Sequence, residues 1–95
     1  MKQLELIDCL VVNNGESIGT ADLIRMTLNN IPQGGLAPID MRKRIRILDT
    51  LEEANGSLEL EDADAKVLSD CVGQMRWNIL DRGILNFCDA VELMK

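Results

Sequence analysis

Five stretches of this chain repeat apolar residues at the spacing of a helix, and that spacing limits the fold more than any other feature. Leu4, Ile7, Leu10 and Val11 predict a first helix over Leu4 to Val12, although Val11 and Val12 add strand character. Leu23, Ile24, Thr27 and Leu28 predict a second, with Thr20 as its cap, Asp22 in its first turn and Asn29-Asn30 at its end. Met41, Ile45, Leu48 and Leu51, widened by Ile47 and Ala54, form the stripe of a third helix over 38–54. Pro38 suits its first turn, and Asp40 complements the positive end of its dipole. Val67, Leu68, Cys71, Val72 and Met75 mark a fourth helix that starts at Asp62 or Asp64. Trp77, Leu80, Ile84, Phe87, Cys88 and Val91 mark a fifth, with Gly83 in its interior.

The breaks between the stripes agree with this division. Asn13-Asn14-Gly15 and Asn55-Gly56 are helix stops, since Asn and Gly accept the left-handed conformation that ends a helix. The segment from Ile31 to Pro38 holds both prolines and two glycines and reads as a loop. Ser57-Leu58-Glu59-Leu60-Glu61 alternates polar and apolar residues, the period of a short half-buried strand, with no pairing partner apparent. The predicted fold is therefore mainly α, a compact bundle of about five helices with at most one short extended segment near 57–61, in a single domain spanning 1–95. Trp77 and Phe87 are the only aromatic residues among 95, so the core must come from Leu, Ile, Val, Met and Ala. A domain of this size holds about 5–10 kcal/mol of stability. Trp77, as the expected core anchor, is the residue whose truncation should do most harm, about 3–5 kcal/mol if fully buried.

The missing residue types exclude whole classes of chemistry. The chain has no His, which removes the commonest general acid/base and the commonest metal ligand. Cys9, Cys71 and Cys88 are odd in number, widely spaced and set among aliphatic residues, and read as buried reduced thiols with no zinc site. Gly15-Glu16-Ser17-Ile18-Gly19 matches G-x-S-x-G in form. A serine nucleophile still needs a base and a large parallel sheet, neither of which this chain can supply, so the segment reads as a polar loop. Glu59, Glu61, Asp62 and Asp64 invite a calcium reading. A loop begun at Asp62 would put Val67 where the turn needs Gly and Gly73 where a bidentate Glu belongs, which excludes an EF-hand. No cofactor is expected. The opening Met1-Lys2-Gln3-Leu4-Glu5 lacks the basic region and apolar core of a leader, and no stretch approaches the length of a membrane span, so a cytoplasmic chain without membrane contact is expected.

Charge is the strongest local signal. Arg42, Lys43, Arg44 and Arg46 place four positive charges in five residues near the start of the third helix. Asp49, Glu52, Glu53, Glu59, Glu61, Asp62 and Asp64 follow with no basic residue between them. The chain is net −6, so the rest of it, without those four charges, is net −10. The favoured reading makes Arg42, Lys43, Arg44 and Arg46 one half of a protein contact and Glu59, Glu61, Asp62 and Asp64 the other, within one molecule or between copies in a homo-oligomer. The acidic run imitating DNA phosphates is a special case of that reading. The alternative is a winged-helix-like DNA-binding regulator that reads duplex with helix 38–54 and uses Leu58 to Leu60 as part of a wing. The neighbouring carboxylates would repel phosphates, so nucleic acid is the disfavoured partner. Five methionines, Met26, Met41, Met75 and Met94 among them, offer adaptable contacts where they face outward.

Leu58-Glu59-Leu60-Glu61-Asp62-Ala63-Asp64, then Leu68, Val72, Met75-Arg76-Trp77, Asp81-Arg82, Ile84, Phe87 and Asp89-Ala90-Val91, together resemble a pattern in small accessory proteins of tailed bacteriophages and prophages. The likeness covers about the C-terminal 40 residues and carries no catalytic or binding residue with it. It implies a bacterial host cytoplasm, and a non-enzymatic role in particle assembly or in binding and inhibiting a host protein.

Overall fold

A computed structural model describes residues 1–13 and 15–94. The order of elements is β1 (Lys2–Glu5), β2 (Val11–Asn13), β3 (Glu16–Ile18), α1 (Thr20–Asn29), α2 (Pro38–Glu53), β4 (Ser57–Leu60), α3 (Asp62–Gln74) and α4 (Arg82–Met94). The fold is thus a small mixed α/β domain, and the expected bundle of about five helices is incorrect. Among the described residues four helices pack with two antiparallel two-stranded sheets, β1 with β4 and β2 with β3.

The largest correction falls on the first helix. Leu4, Ile7, Leu10 and Val11 do not share a face: Leu4 and Val11 are buried, Leu10 is half-buried and Ile7 is exposed. The chain instead runs out along β1, bends, and returns as the β2–β3 hairpin, where Val11 stands opposite Ile18. The winning signal is the alternation Gln3 out, Leu4 in, Glu5 out, which matches the period of two in β4. Leu4 faces Leu58 and Lys2 faces Leu60, so β1 is the missing partner of the segment near 57–61. A pairing across more than fifty residues leaves no trace in local periodicity. Asn14, expected within a helix stop, lies outside the described residues. Gly15 beside it has φ +81 and serves the hairpin.

α1 begins one residue earlier than expected, with Gly19 at its N-cap, and Asp22 rather than Thr20 contributes to the cap by accepting from the Gly19 N–H at 3.3 Å. Thr20 is bonded to the chain before it: its N–H donates to the Ile7 carbonyl at 2.9 Å, and its Oγ1 accepts from the Ile7 N–H at 3.1 Å. α2 has Ala37 at its N-cap and Pro38 at its start. Its buried line is Arg44, Ile47 and Leu51, with Leu48 and Ala54 half-buried, whereas Met41 and Ile45 of the expected stripe face solvent. α3 starts at Asp62 and buries Ala65, Leu68, Cys71 and Val72.

The expected fifth helix is shortened to α4. Residues 75–81 have no regular secondary structure, so Trp77 and Leu80 precede the helix. Asp81 stops it from starting earlier, accepting from the Gly83 N–H at 2.7 Å in the manner of a cap. Gly83 therefore sits in the first turn and not the interior. Here α4 lies so close to the bend before β2 that a Cβ on Gly83 would fall 2.2 Å from the Leu10 carbonyl oxygen. Leu4, Leu23, Ile47, Leu58, Leu68 and Phe87, contributed by six different elements, belong to one buried apolar cluster. Cys71 is buried and Cys88 half-buried, but Cys9 is exposed, contrary to expectation; all three are free thiols. Among the described residues no helix is long and apolar enough to cross a membrane.

Candidate functional site

Four basic residues in five helical positions cannot share a face, because each residue turns the helix by about 100°. The structure divides them accordingly. Arg44 is 8% exposed and turns inward, where its Nη1 donates to the carbonyls of Leu28 at 3.0 Å and Asn30 at 2.9 Å. Those carbonyls end α1, so Arg44 satisfies acceptors that the helix leaves over and places a cation at the negative end of its dipole. It is an internal clamp and not part of an outer basic patch.

Arg46 points the other way and reaches α3. Its Nε donates to both carboxylate oxygens of Asp64, at 3.2 and 3.0 Å, and its Nη2 closes a second arm of the fork. Asp64 is 6% exposed and lies in the first turn of α3, where the helix dipole also favours a negative charge. The hydrogen bond to Asp64 first, and its charge second, raise the Arg46 pKa above the ordinary arginine value. Of the eight residues Arg42, Lys43, Arg44, Arg46, Glu59, Glu61, Asp62 and Asp64, the structure joins this one pair. Arg42 is exposed and Lys43 half-buried. Glu59 faces outward from β4, while Glu61 and Asp62, at the N-terminus of α3, are exposed.

The solvent side of α2 carries charges of both signs in one helical register. Arg42, Arg46, Asp49 and Glu53 are all exposed and follow one another at four, three and four residues, so they form one stripe within about 60° of arc. The first two are basic and the last two acidic. Asp49 and Glu53 belong to the acidic run, but their helical register with Arg42 and Arg46 is the signal that sets them apart from Glu59 to Asp64. Ile39 and Ile45 are exposed on either flank of the stripe.

Two concavities lie away from this face. One, about 290 Å³, is bordered by the loop before α2 and by α3, with Asp40, Lys43, Arg44, Asp70 and Cys71 in its wall. Burial pushes the Cys71 thiol above its ordinary value, and Arg44 partly opposes this; Asp70 and Asp40 add to it. A buried thiol held protonated is a poor nucleophile. The other, about 470 Å³, is an apolar trough along residues 77–85 in which Leu80 and Leu85 are exposed. Trp77, half-buried, meets Phe87 edge-on with ring centroids 6.1 Å apart. Ser17 of the G-x-S-x-G segment lies within β3 opposite Val12 and not on a turn between strand and helix. Among the described residues no three His, Cys, Asp or Glu side chains are placed to hold a metal ion. The strand β4 pairs with the distant β1 and not with an adjacent hairpin strand, so Leu58 to Leu60 do not form a wing.

No protein-family model, no curated protein and no solved structure matches this chain.

Proposed function

We propose that the protein is a non-enzymatic protein-interaction module whose contact surface is the solvent face of α2. The observation that carries this reading is the inversion of charge along that face, from Arg42 and Arg46 to Asp49 and Glu53. A surface that tracks a phosphate backbone needs basic residues throughout, and Asp49 and Glu53 stand within two turns of Arg46. Arg44 is moreover turned inward onto the carbonyls ending α1 and is not offered to a phosphate. A protein surface can oppose both halves of the stripe at once.

The resemblance to accessory proteins of tailed bacteriophages gives this reading its setting: a bacterial host cytoplasm, with a part in particle assembly or in obstructing a host protein. The test is capture with the tagged chain from a bacterial lysate, with and without nuclease, followed by mass spectrometry. A discrete protein retained after nuclease supports the module. Recovery that disappears with the nucleic acid overturns it in favour of DNA binding.

A further inference from the structure

The arrangement of charge on α2 is unfavourable for the helix that carries it. Asp40 suits the first turn, but Glu52 and Glu53 close the helix and no basic residue stands in its last turn, which opposes the dipole at the C-terminal end. Arg42 with Arg46, and Asp49 with Glu53, also place like charges four residues apart on one face, a mildly destabilising spacing. Two of the basic residues are explained within the fold, Arg44 by the carbonyls that end α1 and Arg46 by Asp64. The side chains of Arg42, Asp49 and Glu53 make no hydrogen bond or ion pair with another described residue. They are exposed and open to charges supplied from outside the chain.

Resting on the reading of this face as the contact surface, we propose that α2 pairs antiparallel with α2 of a second copy. Arg42 then meets Glu53 of the partner subunit, and Arg46 meets Asp49 of the partner subunit. The positions fit a two-fold axis through the middle of the stripe. Arg42 and Glu53 each lie about 8 Å along the helix from the point midway between Ile47 and Leu48, and Arg46 and Asp49 each lie about 2 Å from it. Rotation about that point exchanges every base with an acid and yields four ion pairs. A parallel pair would set like charge against like at every level. The antiparallel arrangement also sets the two helix dipoles head to tail. Arg46 can serve both carboxylates, since Asp64 takes its Nε and Nη2 and leaves Nη1 unused.

Exposed ion pairs fix orientation and register more than they supply energy. The energy falls to the apolar flanks. Ile45, 48% exposed, lies on the same side of the axis in both copies, the two separated by about 7.5 Å along the helices. Ile39, 65% exposed, lies on the opposite flank. One pair of 16-residue helices makes a contact at the small end of specific interfaces, which goes with weak, reversible association.

Sedimentation equilibrium of the full chain, from about 10 μM to 1 mM, tests the pairing. The expected result is a monomer–dimer equilibrium that shifts toward monomer as salt rises. Arg42→Glu alone and Glu53→Arg alone should each weaken dimerisation about tenfold without destabilising the monomer, because each turns a like-charge pair within α2 into an opposite one. An equimolar mixture of the two variants should dimerise about as well as the original chain, since each supplies the charge the other then needs. A monomer throughout the range, a dimer indifferent to either reversal, or a mixture no stronger than its components would overturn the pairing. A monomeric chain that still retains a discrete protein from lysate after nuclease overturns the pairing and leaves the interaction module standing. A dimer with the expected charge dependence whose lysate capture is lost with nucleic acid supports the pairing and overturns the module.

Discussion

The Arg46 fork on Asp64 joins the middle of α2 to the first turn of α3, and its two ends differ in environment: the Asp64 side chain is 9% exposed and that of Arg46 59%. The carboxylate is therefore the costlier partner to leave alone, because an unpaired charge in a nearly dry site retains its desolvation penalty while an exposed guanidinium returns to water. Arg46→Met should lower the melting midpoint by more than Asp64→Asn does, since the first strands a buried charge and the second removes it. The double variant should lose less than the two single losses combined. A thermal double-mutant cycle measures this, and strict additivity would show that the pair contributes no coupling.

Arg44 has the opposite character, a cation almost wholly inside and bonded to backbone alone. Arg44→Met should leave the Leu28 and Asn30 carbonyls without their donor, at about 1–3 kcal/mol. For a domain of this size each kcal/mol shifts the melting midpoint by roughly 4–8 °C. Arg44→Lys should recover part of the loss, since one ammonium can still reach a carbonyl. Equal stability of the original chain and the Met variant in urea would show that the clamp is dispensable.

How far the sequence revealed this structure depended on the range of the interaction concerned. α2 and α3 were legible to within a residue or so, because Pro38, Asp62 and the apolar spacing are all local signals. The strand at Ser57–Leu60 was legible from its alternation, but its partner was not, because β1 is short and its apolar Leu4 also fits a helical spacing with Leu10 and Val11. The inward turn of Arg44 was hidden for the same reason. Its place in the buried line with Ile47 and Leu51 is visible on a helical wheel, but the carbonyls it bonds belong to another helix. At the candidate site the basic cluster stands out in the sequence by sign alone, whereas the face that Arg42 and Arg46 share with Asp49 and Glu53 emerges only from the helical register.

Two glycines in helices should respond in opposite directions to the same substitution. A Cβ at Gly83 would lie 2.2 Å from the Leu10 oxygen and 2.8 Å from Val11 Cγ2, so Gly83→Ala must push α4 away from β2 and should destabilise the fold strongly. A Cβ at Gly73 of α3 meets nothing within 4 Å. Gly73→Ala should stabilise by up to about 1 kcal/mol, since alanine restricts the unfolded chain and favours the helix. Chemical denaturation of both variants checks the pair; the same sign in both would contradict this account of α4.

The aromatic residue that anchors the core is Phe87 and not Trp77. Phe87 is 1% exposed, whereas Trp77 lies half-buried in an irregular segment. Phe87→Ala should cost about 3–5 kcal/mol and bring the fold near its limit, while Trp77→Ala should cost distinctly less. Melting curves decide the order, and a greater loss at Trp77 would mean that residues 75–81 hold the core shut.

The thiols give the protein a pH dependence on the alkaline side. Burial is the first cause of the raised Cys71 and Cys88 values, so the folded state holds these protons past the ordinary thiol value of 9.0. The unfolded chain gives them up near that value. The stability they contribute is therefore complete below about pH 8.5 and declines as pH rises toward their folded-state values. Replacing Cys71 and Cys88 together by Ala should flatten the stability profile above the ordinary thiol value of 9.0, whatever it does to stability at pH 7. Exposed Cys9 should meanwhile react first with a thiol reagent at pH 8 in the native protein. Labelling of Cys71 at the rate of Cys9 would mean that the wall between α2 and α3 opens far more readily than its packing implies.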